Sequence, residues 1–431
     1  MSYIKNSFFT LVSNVTMIFI GFFTSFIISR NLGADLQGVF NLAVLMPTML
    51  YNFMNFGQDT AVMYFLSNKS AKKKDAVNNM ITVTIIYSIA SLIIGGLLIV
   101  LLKERLFTEV SYNLLIMALI ISPLTFLNNN LLAVMKSEGK FKDVNKIQVL
   151  NKIIYLIICT VLFFIVKVEI VIFGNIFILL VSIVSLWRRL EIHKVKLSFD
   201  KEYQKRNINY GFKSYLANMI TFLNYRLDTL LIQGITNNLA MVGQYGVAVT
   251  LAEQVWILAS AVSSVMFPYL TSIESDEDKT KVTAMTLKVV MIFTFLAIVV
   301  LFLFANVIGF IYGPDFYGSI LPFKILLIGI FSLSLGKILA NDIAARGKPE
   351  LNAFSNLVGL VFNVTFNIIL IPKYGIVGAA IATSISYTIT SSLFIISFLR
   401  LTKMKATALF LFSKDERKIA FEFVQKKLLK K

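Results

Sequence analysis

Three ionisable residues stand inside apolar runs that should hold none. Arg226 and Asp228 interrupt the run 210–235, and Glu253 lies near the middle of 242–267. A charge at the centre of a membrane helix costs roughly 2.5–3.5 kcal/mol on insertion scales, so such groups mark transport paths or neutralise one another. A guanidinium holds phosphate or carboxylate oxygens bidentately, and a buried carboxylate can take up and release a coupling H+ or Na+. Arg226 and Asp228 are two residues apart, on nearly opposite sides of a helix, and make poor partners. Arg226 and Glu253 flank a turn near 238–239 by about 12 and 14 residues, so at about 1.5 Å per residue their depths differ by ~3 Å. Two readings stay open. Arg226–Glu253 is a salt bridge pinning two helices, or Arg226 is an anion site in a central cavity, with Glu253 and Asp228 as ion-coupling carboxylates.

Other residues add weaker signals. Arg30, at the end of the first run, either snorkels to the interface or joins the substrate site. Asn363 and Asn367, at helical i,i+4 spacing, and Asn128 to Asn130 carry amides that bind sugar hydroxyls or bond across helices. Lys337 is deep in its run and reaches either the cavity or the interface. Asp59 and Asp342 read as solvated helix caps. Pro47 and Pro123 fall mid-run, where a missing N–H kinks a helix. Gly375, Ala379, Ala382 and Ser386 make a small-residue stripe suited to close packing. One histidine (His193) and one cysteine (Cys159) leave no metal-ligand or nucleophile–histidine set. Nor does any Walker loop precede a helix, so no catalytic, cofactor or metal residues are expected.

The elements that must carry these residues are membrane helices. Of 431 residues, 57% are hydrophobic and only 15% charged, against about 25% charged in soluble domains. Twelve apolar runs approach the ~20 residues that a crossing needs: 9–29, 38–65, 80–102, 113–135, 147–166, 169–187, 210–235, 242–267, 285–308, 318–340, 354–371 and 375–398. The first is too long for a signal peptide, and no small-x-small site precedes Arg30. The net charge of +18 sits in short blocks between runs, the pattern of a membrane protein's inner face rather than of nucleic-acid binding. With twelve crossings, 31 Lys and Arg fall on the N-terminal side and 5 on the other, which puts both termini in the cytoplasm. The expected organisation is a six-helix bundle over 1–187, a basic linker over 188–209, and a second bundle over 210–398. A basic tail over 399–431 follows, with an amphipathic helix opened by the Ser413-x-x-Glu416 cap.

The halves repeat weakly at an offset of 208 residues: Gly38-Val39 matches Gly246-Val247, and Gly139-Lys140 matches Gly347-Lys348. Even numbers of spans per half give a pseudo-two-fold axis along the membrane normal, with substrate near the midplane.

The segment AARGKPELNAFSNLVGLVFNVTFNIILIPKYGIVGAAIATSISY (344–387), with YRLDTLLIQGITNNLAMVGQYGVAVTLAEQ (225–254) and SRNLGADLQGVFNLAV (29–44), resembles the polysaccharide (O-antigen repeat-unit) flippases of the multidrug/oligosaccharidyl-lipid/polysaccharide exporter superfamily. The resemblance implies an all-α, two-bundle exporter fold in the inner (plasma) membrane. It implies flipping of polyprenyl-diphosphate-linked oligosaccharide repeat units, with the lipid-linked glycan, the bilayer and other polysaccharide-assembly proteins as partners. The alternative is a multidrug or toxin cation antiporter of the same superfamily, which would want an acidic cavity. A membrane glycosyltransferase or polymerase needs a large outer loop, and the longest here is about 15 residues, far below a domain.

Overall fold

The structure is a computed structural model and describes residues 2–162, 167–192 and 195–412. His193 and the tail helix expected after Ser413 lie outside the described residues. The fold is all-α, a multi-pass membrane protein of two six-helix bundles. The first half comprises α1 (Ser2–Met54), the short α2 (Gln58–Ser67), α3 (Lys73–Leu106), α4 (Tyr112–Leu119), α5 (Ile121–Ser137), α6 (Phe141–Val161) and α7 (Val168–Arg189). The second comprises α8 (Lys201–Thr236), α9 (Leu239–Ser272), α10 (Asp276–Leu303), α11 (Val307–Tyr312), α12 (Ile320–Ala345), α13 (Pro349–Thr402) and α14 (Ala406–Phe410).

Two long elements each supply two crossings. α1 breaks at Gly33 (φ 71°, ψ 177°) and α13 at Gly375 (φ 56°, ψ −135°), conformations that a Cβ would resist. Chain reversal at Gly33 is shown by the Ser29 hydroxyl donating to Gln37 Oε1 at 3.1 Å; eight residues of straight helix would hold them about 12 Å apart. α4 and α5 together make one crossing, broken at Ile120, where Pro123 has no N–H for the carbonyl four residues back. Pro47 produces no such break, and α1 is helical through it.

Two expected boundaries are corrected. The second span was expected to run to 65 but ends at Met54, because Phe56 (φ 46°) and Gly57 (φ 72°) turn the chain left-handed before α2. Of the linker expected at 188–209, residues 201–209 are helical: the Asp200 side chain accepts from Tyr203 N and starts α8 there.

The described turns gather at two ends. At one end Gly38 lies against the Leu239 backbone, Gly243 against the Ala34 carbonyl, and Gly375 against Met241. The other, basic end holds Glu138 between Lys73 and Lys140, and Arg346 beside Asp276. Here the 208-residue repeat becomes visible. Gly139 (φ 71°) and Gly347 (φ 74°) end α5 and α12 with the same pair of bonds, Gly139 N to Lys136 O and Lys140 N to Met135 O, against Gly347 N to Ala344 O and Lys348 N to Ile343 O.

One apolar core joins both halves toward the end where Gly38 meets Leu239, through Leu42, Leu115, Val242, Tyr245 and Leu327. Toward the basic end each half has its own core: Met80, Leu131, Val134 and Leu186 in the first, Leu287, Leu335, Leu339 and Phe398 in the second. Near the basic end the halves meet through α2, the end of α1 and the start of α8: Tyr64 stacks on Tyr210 at 3.9 Å, and the Tyr215 hydroxyl donates to Phe53 O at 2.7 Å. Large apolar side chains such as Ile93, Val100, Leu303 and Phe310 are exposed on the outer walls, where lipid rather than water is the solvent.

Candidate functional site

The hairpin α8–α9 brings the intramembrane charges together as their depths require. Arg226 Nη1 donates to Glu253 Oε1 at 3.2 Å and Nη2 to Oε2 at 3.0 Å. The fork is bidentate, the strong form of this pair. Its two ends differ in exposure: the Arg226 side chain is 41% exposed and that of Glu253 14%. Arg226 therefore opens onto space while Glu253 backs it.

That space is a small cavity of about 190 Å³ at the seam between the halves. α1 contributes Asn41, Val44 and Thr48, and α8 and α9 contribute Arg226, Thr229, Gly246 and Thr250. Gly246 leaves room for the Asn41 amide, since a Cβ there would lie 2.1 Å from Nδ2 and push that side chain aside. Arg226 is the one ionisable residue in this lining among the described residues. A larger groove of about 660 Å³, between Phe22 of α1 and α9, α10, α11 and α12, is apolar apart from Gln254 and Tyr312.

Asp228 points elsewhere. It is buried, and its carboxylate accepts from the Tyr245 hydroxyl at 2.5 Å, the Thr383 hydroxyl at 3.2 Å and Thr229 N at 2.8 Å. Asn363 donates to Thr383 Oγ1 at 3.3 Å, and Asn367 donates to Asn363 Oδ1 at 3.0 Å. Four helical segments thus meet in one chain of polar groups: α8, α9 and the two limbs of α13. Asn367 Oδ1 is its unpartnered acceptor, an exception in an interior where polar atoms are normally satisfied.

The expected site residues therefore separate into three places. Arg226 lines the cavity and Glu253 pairs with it from behind. Asp228, Asn363 and Asn367 share the buried network behind it, and both asparagines are fully buried rather than facing the cavity. Arg30 is at the end opposite the basic one, donating to the Phe310 and Ile311 carbonyls at 3.1 and 2.6 Å. It caps the last turn of α11 and ties the two halves together. Asn128 and Asn130 bond within the first half, to Ser182 and Thr84. Asp342, expected as a solvated cap, is instead fully buried, between the Thr283 hydroxyl at 2.6 Å and Arg346 at 2.5 Å.

Sequence reasoning missed Tyr245, Thr383, Asn41 and Thr48. Thr383 lies in the 344–387 segment that carries the family resemblance, which assigns it no role of its own. Tyr245, between Gln244 and Gly246, carries no mark of its own.

Comparison with known proteins agrees with this architecture. A family described as "Polysaccharide biosynthesis protein" matches residues 27–321. The chain is 26% identical over 218 residues to the capsular polysaccharide biosynthesis protein CapF of Staphylococcus aureus, covering 48% of this chain and 53% of that one. It is 24% identical over 191 residues to the probable low-salt glycan biosynthesis flippase Agl15 of Haloferax volcanii, covering 43% and 40%. The match thus spans about half or less of these relatives' length. In fold, the chain is similar to the lipid II flippase MurJ in an inward closed conformation, with TM-score 0.72, 19% identity, and 93% and 90% of the two chains covered. It is also similar to an inward-facing multidrug resistance MATE family transporter, with TM-score 0.70, 14% identity, and 93% and 98% covered.

Proposed function

This chain belongs to the polysaccharide biosynthesis protein family, and from that premise we propose that it flips polyprenyl-diphosphate-linked oligosaccharide repeat units from the inner to the outer leaflet. It is a transporter in this reading, not a catalyst, and it sits in the plasma membrane with its basic end and both termini in the cytoplasm. Its two moving bodies are residues 1–187 and, with the first turns of α8 included, 201–398.

The observation that carries the reading is Arg226. It is partly exposed to a cavity at the seam, in whose described lining no acid faces it. Once released from Glu253, Arg226 gives this cavity a positive wall that holds a diphosphate and repels a cation, and the neighbouring Asn41, Thr48, Thr229 and Thr250 supply amide and hydroxyl groups suited to sugar. The same sign weighs against the multidrug cation antiporter, because Glu253 is spent on Arg226 and Asp228 is buried behind it. At about 190 Å³ the cavity is below the roughly 300–1,000 Å³ of ordinary ligand sites. The halves must part before a glycan enters, as alternating access about a seam requires.

Asp228 is the coupling carboxylate of this proposal. Its network with Tyr245, Thr383, Asn363 and Asn367 changes its bonds when a proton or Na+ arrives, and it links α8 and α9 to both limbs of α13. Glu253 serves the same energy conversion through Arg226.

The test is reconstitution. Liposomes holding the purified chain and a fluorescent polyprenyl-diphosphate disaccharide should expose the glycan to an external glycosidase several-fold faster than protein-free liposomes. Equal rates, with extrusion of a cationic dye instead, would establish the antiporter.

A further inference from the structure

In this structure both Nη groups of Arg226 are committed to Glu253. A phosphate that takes the same face of the guanidinium must displace the carboxylate. A carboxylate left alone at mid-membrane is strongly unfavourable, so it needs a second cation within reach.

Lys337 of α12 is placed to be that cation. Its Nζ lies 3.8 Å from the centroid of the Trp256 ring, 5.8 Å from that of Tyr225, and 3.4 Å from Ser260 Oγ. Among the described residues it makes no ion pair. Trp256 is three residues after Glu253 in α9, so ring and carboxylate share one face about 4.5 Å apart along the axis. Tyr225 immediately precedes Arg226. The two cations therefore flank one carboxylate: the first pairs with it and the second rests on aromatic rings a turn away. A lysine suits the second position, being a compact charge on a flexible four-carbon stem, whereas the planar arginine suits a fixed fork.

We propose that Glu253 is an exchangeable counter-ion, released from Arg226 by an incoming phosphate and received by Lys337. This rests on the reading of Arg226 as the diphosphate-holding residue. The exchange lifts Lys337 from Trp256 and Tyr225 and shifts the contact of α12 with α8 and α9. Headgroup binding is thereby converted into helix movement, and Glu253 never remains unpaired.

Trp256 reports on the exchange directly. The chain has two tryptophans, so Trp187→Phe leaves Trp256 alone, with Trp187 lying in the other half against its apolar core. Farnesyl diphosphate is titrated into this purified variant in nanodiscs, with binding read by calorimetry and Trp256 emission recorded in parallel. Emission should change saturably with the midpoint of binding. Lys337→Met should abolish that change and weaken binding by roughly tenfold or more, as expected for an uncompensated buried charge. Lys337→Arg should retain binding, and adding Glu253→Gln to Lys337→Met should restore it, because no charge is then displaced. Binding with unaltered emission, or a double variant as weak as Lys337→Met, would overturn the exchange alone. No binding to the Trp187→Phe parent would overturn the diphosphate reading and the exchange with it.

Discussion

Gly57, at the end of the second crossing, and Gly211, early in α8, touch backbone to backbone. A Cβ built on Gly211 would lie 2.4 Å from the Gly57 carbonyl oxygen, and one on Gly57 2.3 Å from that of Gly211. Only two glycines permit this approach. At the opposite end Gly38 and Gly243 make the equivalent backbone closure of α1 against α9, so the seam is shut at both ends around the Arg226 cavity.

Gly211→Ala tests the basic-end closure, since Gly211 has ordinary helical backbone and Gly57 does not. The variant should insert at normal abundance yet hold the seam apart there. A cysteine at Thr48 should become more accessible to a membrane-impermeant thiol reagent added from the basic side, and flipping should fall several-fold. Unchanged accessibility would show that the close approach is dispensable.

Asp228 and Tyr245 predict a separation of stability from coupling. Asp228→Asn keeps an acceptor for the Tyr245 and Thr383 hydroxyls, so the variant should melt near the parent. Its flipping should no longer respond to an imposed ion or proton gradient. Tyr245→Phe removes one buried hydrogen bond, worth about 1 kcal/mol, and should lower the melting midpoint while retaining the gradient response. A gradient response surviving in Asp228→Asn would remove this carboxylate from coupling.

Topology is tested by reporter fusions. Those placed after residues 70, 140, 200 and 278 should read cytoplasmic, and one after 238 external. A single reversed reading would break the assignment.

The basic end also predicts an acid dependence. Burial pulls the Glu138 carboxyl upward, but hydrogen bonds from Lys140 and Lys73, at 2.7 and 2.5 Å, outweigh it and hold the group below the usual carboxylate range. A depressed folded-state value contributes stability that is complete above the unfolded value of about 4.3 and is lost as pH falls through the folded one. Glu138→Gln should therefore melt below the parent at pH 7 and converge with it in acid. A constant difference from pH 7 to pH 3 would show that the pair of lysines does not stabilise the loop.

Hydropathy and charge made the crossings legible, because lipid leaves few ways to hide a backbone. What they missed was local. Residues 55–67 are apolar enough to extend a span, and nothing in a hydropathy window marks the left-handed pair Phe56-Gly57. Residues 201–209 are polar enough to read as linker, yet Asp200 caps them into α8. The site divides the same way. Arg226, Asp228 and Glu253 stand out because their residue types are rare in lipid. Tyr245, Thr383 and Trp256 are ordinary there, and only the crossing of α8, α9 and α13 selects them. Asn363 and Asn367 were legible as a pair but not as buried, since i,i+4 spacing fixes their shared face and not what that face meets.

The Arg226–Glu253 pair ties α8 to α9 while its arginine lines the cavity, and double substitution separates the roles. If the pair only pins α8 to α9, each single neutralisation strands a charge and should cost about 3–5 kcal/mol, with the double variant recovering most of it. If Arg226 also holds the diphosphate, Arg226→Ala abolishes glycan export and adding Glu253→Ala restores abundance without export. Arg226→Lys should export partially, because a point charge replaces a planar fork. The measurement is surface glycan per molecule of inserted protein, which normalises for folding. Recovery of export in the double variant would leave a structural salt bridge and no substrate role for Arg226.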